Sequence, residues 1–363
     1  MIQEIKRGKD FEPTRISARI IRDSISPYGQ RLVTVEATFP KLINAELNTH
    51  RAISKNLASS RAIPSKRILD MVSNDPYTPI WYGANVAGMQ APQHIDSVKA
   101  RTALARILAL KNSAVHCVRQ LTEVEGLHKQ HANRYLEPWL WVTAILTATE
   151  WDNFFWQRCH PAAQPEMKAL ADAIQMVYYT STPQELKPGE YHLPYVTNAE
   201  IGMWNVDPVN LLDLRQVSTA RCARVSYLNH DQTAPDMRKD VDLFDKLLGS
   251  GHWSPFEHVA TPCDCPIDTR EDCRKQGNLR GYHQYRKEFK DENRRHFLPN
   301  LPELAHIRDA MVTKHVGQFV QPEGCDKAKE AAKGCVTNFG NNSEPCPVCG
   351  SHLFYCGCQE RGI

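Results

Sequence analysis

Thr49-His50-Arg51-Ala52-Ile53-Ser54-Lys55-Asn56-Leu57-Ala58-Ser59-Ser60-Arg61 gathers cations, hydroxyls and an amide into thirteen residues with no acidic side chain among them. Such a segment suits an anionic ligand. Turned at about 100° per residue, His50, Ser54, Leu57 and Arg61 fall on one stripe, which predicts a helix aiming an imidazole, a hydroxyl and a guanidinium at the same place. Arg61 would grip a phosphate with two parallel N–H donors while Ser54 or Ser59 adds neutral donors. A solvated polar helix that starts near Thr49 fits the spacing equally well.

Further blocks narrow the choice. Asn133-Arg134-Tyr135-Leu136-Glu137-Pro138 precedes Asn153-Phe154-Phe155-Trp156-Gln157-Arg158 and Ala163-Gln164-Pro165-Glu166. Later come Ala223-Arg224-Val225-Ser226-Tyr227 and Gly251-His252-Trp253-Ser254-Pro255-Phe256-Glu257-His258. Together with His50 to Arg61 these resemble the flavin-dependent thymidylate synthases, whose signature reads RHRxxSxNExSxR and whose opening elements read AARVSY and GHxSPFEH. The resemblance spans roughly residues 15 to 290 and is dense only in the blocks. The order differs from the family's, because the opening elements stand after the signature and after the Arg158 block. The chain therefore reads as permuted, and a faint echo in Gly281-Tyr282-His283-Gln284-Tyr285-Arg286-Lys287 raises an internal duplication as a second account.

The resemblance implies an α+β fold, an antiparallel sheet packed with long helices, of the thymidylate synthase-complementing type. It implies reductive methylation of dUMP to dTMP, with methylenetetrahydrofolate as the carbon donor and NADPH reducing an FAD. Carried over residue by residue, Arg158 is the expected catalytic group, ionising the pyrimidine. The nucleotide falls to Glu46, Thr49, Ser59, Ser60, Arg61, Arg134 and Arg158. The flavin falls to His50, Arg51, Asn56, Asn153, His252, Ser254 and Glu257. A homo-oligomer, a tetramer in the family, is implied as well. Without the resemblance, Arg158 reads as an ion pair with Asp152 or Glu166, and Ser254 with Glu257 reads as a helix capping box.

Three departures bear on the ligand. Thr49 stands where the family has its first signature arginine, Leu57 where it has glutamate, and Glu46 where it has glutamine. A carboxylate only accepts hydrogen bonds, whereas the amide it replaces also donates, so the preferred pyrimidine can change. Arg280 or Arg286 is a candidate to replace the missing cation. Alternative functions are hydroxymethylation or methylation of another pyrimidine deoxynucleotide, or a non-catalytic homologue that only binds nucleotide or nucleic acid.

Composition fits a soluble enzyme. The 363 residues are 42% hydrophobic, enough for one large domain, and the net charge of +3 is too small for general nucleic-acid affinity. A small nucleotide partner is expected, and direct nucleic-acid binding is not. No apolar run reaches the length of a membrane span and the N-terminus lacks a signal-peptide core, so a cytoplasmic location is expected. Neither GxGxxG after a strand nor GxxxxGK[ST] occurs.

Among twelve cysteines, Cys346, Cys349, Cys356 and Cys358 stand at CxxC and CxC spacing, which suits a tetrahedral structural zinc. Incidental cysteines in a polar tail are the plain alternative, and Cys263, Cys265 and Cys273 form a weaker candidate. The expected domains are 1–305, catalytic, and 306–363, a Cys-rich tail. Periodicity predicts strands at 15–21 and 31–38, a helix over 49–61, and a loop over 74–95. Further helices are predicted from Val98 to Val118, from Leu136 to Phe155, over 167–180 and from Val241 to Leu248, the last stopped by Gly249 and Gly251.

Overall fold

The computed structural model describes residues 15–91, 93–187, 189–206, 213–225, 236–263 and 274–293. The boundary near residue 305 and the tail with Cys346, Cys349, Cys356 and Cys358 lie outside the described residues. So do Ser226, Tyr227, Cys265 and Cys273.

Strand β1 (Ser17–Ile25) turns through Ser26 to Gln30 into β2 (Arg31–Pro40), antiparallel, with Ile20 opposite Val35 and Ser24 opposite Leu32. Gly29 takes φ +84°, a conformation glycine adopts without a Cβ clash. Ser26 Oγ donates to Gln30 Oε1 at 2.6 Å and accepts from Gln30 N at 3.1 Å, closing the turn. A single turn, α1 (Asn44–Leu47), leads to β3 (Ser54–Leu57), and then α2 (Ser65–Asn74) and α3 (Ser97–Glu123) follow. Asp96 caps α3, accepting from Val98 N and Lys99 N. After α4 (Lys129–Ala132) come β4 (Trp141–Ala148), α5 (Asp152–Arg158) and α6 (Pro165–Thr180), the last with Pro165 in its first turn and Gln164 as its cap. The chain continues through β5 (Gln184–Glu185), α7 (Asn198–Val206), α8 (Leu214–Arg224), α9 (Met237–Ser250), β6 (Ala260–Pro262) and β7 (Tyr282–Gln284).

The main sheet has the order β3-β4-β2-β1-β5, antiparallel except that β5 runs parallel to β1. Strands β6 and β7 form a separate antiparallel pair. Because β2 and β4 are central, both their faces are buried. Val33, Val35, Ala37 and Phe39 join Ala144, Leu146 and Ala148 against Trp151, Phe154 and Phe155 of the α5 region and Met167 and Leu170 of α6. On the opposite face Ile145 meets Cys222 and Val225, while Leu32 meets Leu186, Leu279 and Tyr282. A further core joins α8 and α9 to the Ser254–His258 turn through Ala220, Ala223, Phe244, Leu247 and Phe256.

Two predicted helices are strands instead. Residues 49–61 do not form a helix: a turn at Thr49 to Ala52 feeds β3, with Ser54 opposite Thr147 and Asn56 opposite Ile145. Backbone pairing to β4 overrides the helical stripe, and a period of two now separates Ser54 and Asn56 from Lys55 and Leu57. The run from Leu136 to Phe155 also divides, into a 3-10 turn at Asn133–Trp139, then β4, then α5. Its continuous apolar stretch belongs to a strand buried on both faces, which periodicity does not separate from a buried helix. The predicted strands near 15–21 and 31–38, the helices over 98–118, 167–180 and 241–248, and the stop at Gly251, left-handed at φ +69°, agree with the structure, but Gly249 does not stop its helix, which continues through it to Ser250. Among the described residues no helix is long and apolar enough to cross a membrane.

Candidate active site

Arg158 ends α5, where a cation is favoured by the exposed carbonyls of the last turn. Its side chain, 20% exposed, turns toward the segment between α1 and β3. There Nε donates to His50 Nε2 at 2.8 Å, Nη1 reaches Glu46 Oε2 at 3.3 Å, and Nη2 donates to Thr49 Oγ1 at 3.3 Å. Thr49 Oγ1 in turn donates to the Glu46 carbonyl at 2.7 Å, which fixes the hydroxyl as an acceptor toward the guanidinium. The partner of Arg158 is therefore Glu46, not Asp152 or Glu166. Glu166 is buried elsewhere, accepting from Tyr77 and from Ile80 N.

His50 is buried and stacks edge-on against Phe154, ring centres 5.0 Å apart. Because Nε2 accepts from Arg158, the proton of the neutral ring sits on Nδ1. Burial, with the charges of Arg158 and Lys55 added, pulls its pKa down to about 4. Lys55 folds back to donate to the His50 carbonyl at 2.5 Å and the Ile53 carbonyl at 2.8 Å. Burial lowers its pKa to about 8, opposed by the charge of Glu257. Glu257 itself pairs with Arg286, which also donates to Glu292 at 2.9 Å. A line of polar and charged groups thus runs from Arg158 through the neutral ring of His50 and the ammonium of Lys55 to the Glu257–Arg286 pair.

Amides hold this line in place. Asn56 donates to the Cys222 carbonyl of α8 at 2.9 Å and accepts from Ser254 Oγ at 3.3 Å, so β3 is tied to both blocks that follow it in the chain. Asn278 donates to the Ala52 carbonyl at 3.0 Å and bonds Ser54 Oγ, while Gln284 donates to its Oδ1 at 2.7 Å. Ser254 makes no side-chain cap of its own turn, so the capping-box reading does not hold.

The structure brings together Glu46, Thr49, His50, Arg158, Asn56, Ser254 and Glu257 through these contacts. It does not bring the remaining expected residues into the same network among the described residues. Arg51, Ser59, Arg61, Asn153 and His252 are exposed. Arg134 is 55% exposed and 3.8 Å from Glu137, and Ser60 is buried with its hydroxyl given to Glu137. Arg280 pairs with Glu150 at the surface, so it does not replace the missing cation in this cluster, whereas Arg286 is joined to it through Glu257. Sequence reasoning missed Lys55 and Asn278. Lys55 stood inside the quoted segment, and its fold-back on the backbone follows only from the turn at Thr49 to Ala52. Among the described residues no group of three or more His, Cys, Asp or Glu side chains could hold a metal ion.

No family model matches the chain, and no curated protein does. Solved structures give a loose likeness. One is a UMP/dUMP methylase, PolB, from Streptomyces cacaoi bound with 5-Br dUMP, 13% identical, TM-score 0.37, covering 46% of this chain and 90% of that one. Another is the flavin dependent thymidylate synthase ThyX from Helicobacter pylori complexed with FAD and dUMP, 17% identical, TM-score 0.29, covering 40% and 67%. At these scores the likeness fixes neither the fold family nor the activity.

Proposed function

We propose that the chain is a flavin-dependent enzyme that methylates dUMP to dTMP, drawing on methylenetetrahydrofolate and NADPH. The observation that carries this reading is the convergence of Arg158 on Glu46, Thr49 and His50, groups 108 to 112 residues apart in the chain. A guanidinium so placed beside a pyrimidine would favour its anionic form by direct charge pairing. His50, neutral and accepting at Nε2, orients Arg158 without competing for the negative charge. Lys55, with its pKa near 8, adds positive potential without a tight carboxylate partner.

The donor set suits a flavin nucleotide. His50, Arg51, Asn56, Asn153, His252, Ser254 and Glu257 are the residues assigned to hold FAD, and they include exposed cationic or neutral donors for a diphosphate together with the polar amide of Asn56. The buried Nε2 of His258, in the same turn as Ser254 and Glu257, has no partner among the described residues, as a group awaiting a ligand would. When bound, the flavin would supply the reducing equivalents. Glu46, Thr49, Ser59, Ser60, Arg61, Arg134 and Arg158 are assigned to the nucleotide, and assembly into a homo-oligomer belongs to the same proposal. The test is flavin absorbance of the purified full chain, followed by tritium release from 5-tritiated dUMP. A colourless protein that does not take up added FAD would end this reading.

A second reading follows from Glu46. Its carboxylate, 41% exposed beside Arg158, accepts from a donor such as the exocyclic amine of a cytosine. Tritium release from dCMP in preference to dUMP would select it.

A further inference from the structure

Helix α5 carries Asp152, Phe155, Trp156 and Cys159 at positions i, i+3, i+4 and i+7, so all four stand on one side of it. Gln175 and Tyr179, one turn apart on α6, line the same groove, and the bend at His160 and Pro161 completes it. Its volume is about 410 Å³, within the range that small-molecule sites occupy. Arg158 leaves α5 on another side, toward His50 and Glu46, and none of the groove's lining residues belongs to the Arg158 network.

The groove offers open ring faces. Trp156 is 82% exposed and Tyr179 67%, although both are large enough to bury well over half of their surface in a core. Tyr179 is held in place by Phe155 and Tyr178, with ring centres 6.2 and 5.3 Å away, while Trp156 makes no ring contact or hydrogen bond among the described residues. The charge is of one sign. Asp152 is the one Asp, Glu, Lys or Arg among the described residues lining the groove, and it neither caps α5 nor makes a hydrogen bond or ion pair. Asp172, beside Cys159, is matched by Lys168 at 2.6 Å. Burial, with the charge of Asp172 added, lifts the Cys159 thiol to a pKa of about 11, so it stays uncharged. His160 Nδ1 accepts from Ala162 N at 3.1 Å, the arrangement of a neutral ring.

Aromatic faces beside an uncompensated carboxylate attract a cation through the ring quadrupole and the charge together. The kind of cation follows from what is missing. A metal ion needs several oxygen ligands and a guanidinium needs acceptors for five N–H groups, but here the carboxylate of Asp152 and the amide oxygen of Gln175 are the evident acceptors. An ammonium whose protons are replaced by methyl groups needs neither, and its methyl groups bury apolar surface against the rings.

We propose that this groove binds a small organic cation with a methylated ammonium head, the head on the ring faces of Trp156 and Tyr179 and beside the Asp152 carboxylate. The site is independent of the Arg158 cluster and of the function assigned to it.

Calorimetric titration of the full chain tests the proposal, with choline and its uncharged carbon isostere, dimethylbutanol, as probes. The two have the same shape, so the difference between them reads the charge alone. Choline is expected to bind about tenfold tighter or more. Trp156→Leu, which keeps apolar bulk but removes the ring face, and Asp152→Asn, which keeps the shape but removes the charge, should each cut that preference to about threefold or less. Both side chains are exposed, so neither change disturbs the core. In the wild-type protein the Trp156 indole N–H resonance, assigned with Trp156→Phe, should move on adding choline. Arg158→Ala should leave choline binding unchanged, so loss of the nucleotide chemistry and loss of this site are told apart. Equal affinity for the two probes, a static Trp156 resonance or an undiminished preference in Asp152→Asn would overturn the proposal. So would a smaller particle in sedimentation of Trp156→Leu, which would show that a second copy of the chain covers these rings.

Discussion

Arg158 Nε donates to His50 Nε2 at 2.8 Å, so a cation at the end of α5 and a buried imidazole ahead of β3 are locked in one tautomer and one orientation. The contact sets two properties at once. It adds to the burial that keeps His50 neutral, and it leaves both Nη atoms of Arg158 directed at Glu46 and Thr49, whose side chains are partly open to solvent. A nucleotide that displaced either would meet an already oriented guanidinium.

Replacing Arg158 by alanine is expected to leave FAD bound and to abolish turnover, because the arginine is assigned to the base. Arg61→Ala and Arg134→Ala should instead weaken nucleotide binding, by roughly 1 kcal/mol or more each, since both side chains are exposed in the free protein. Flavin absorbance after gel filtration and single-turnover tritium release separate the two effects. Wild-type turnover by Arg158→Ala would remove the assignment.

Much of the site was legible as residue types and little of it as geometry. His50, Asn56, Ser254, Glu257 and Arg158 were all singled out from their blocks, and the structure ties them together. Their local conformation was not legible, because the helical stripe through His50, Ser54, Leu57 and Arg61 is a property of spacing, while β3 exists through pairing with β4, nearly ninety positions away. The same long-range cause hid β4 inside an apolar run that fits either element. Asn278 carried no signal at all, since its role is to bond the Ala52 carbonyl across 226 residues. Strands β1 and β2 were legible because a tight turn joins them and their alternation is local.

Stability should fall in acid through three buried histidines. His50, with a pKa near 4, His258, near 3, and His192, held well below its usual value by burial, are all neutral in the folded protein. Each folded value lies below the ordinary 6.5, so the unfolded chain binds protons first. Their contribution is complete above about pH 6.5 and declines as the pH drops toward 4, by up to about 1.4 kcal/mol per pH unit for each histidine. Urea midpoints at several pH values across that window give the slope, and His50→Gln should make it shallower. Equal stability at both ends of the window would contradict the assignment.

Lys55 is expected to control the alkaline limb of nucleotide binding. Its folded pKa, near 8, lies below the ordinary 10.5, so its charge is lost as the pH rises through about 8. Affinity for dUMP should decline above that pH in the wild type, and Lys55→Met should bind more weakly throughout without that step. The folding contribution has the opposite sense: the unfolded chain keeps its proton up to 10.5, so stability gains between about pH 8 and 10.5. An alkaline decline that persists in Lys55→Met would assign the titration to another group.

A hydrogen-bonded chain crosses the sheet beneath the site, from Ser24 Oγ to His192 Nδ1 at 2.8 Å, from His192 Nε2 to Thr34 Oγ1 at 2.8 Å, on to Thr147 Oγ1 at 2.8 Å, and from there to His258 Nδ1 at 2.7 Å. Thr147 is the link through which the Ser254–His258 turn is fastened to β4. Thr147→Val keeps the volume and the β-branch but strands the Nδ1 of a ring whose Nε2 already lacks a partner among the described residues. The expected loss is about 1–3 kcal/mol in chemical denaturation, the cost of an unsatisfied buried polar group. Thr143→Val supplies the comparison, because its bond to Thr38 Oγ1 at 3.0 Å is only partly buried and water can replace it. Since His258 belongs to the turn that carries Ser254 and Glu257, Thr147→Val should also weaken retention of added FAD, while Thr143→Val should not. A loss below about 0.5 kcal/mol, within the range of ordinary surface substitutions, would show that the buried chain does not fasten the turn.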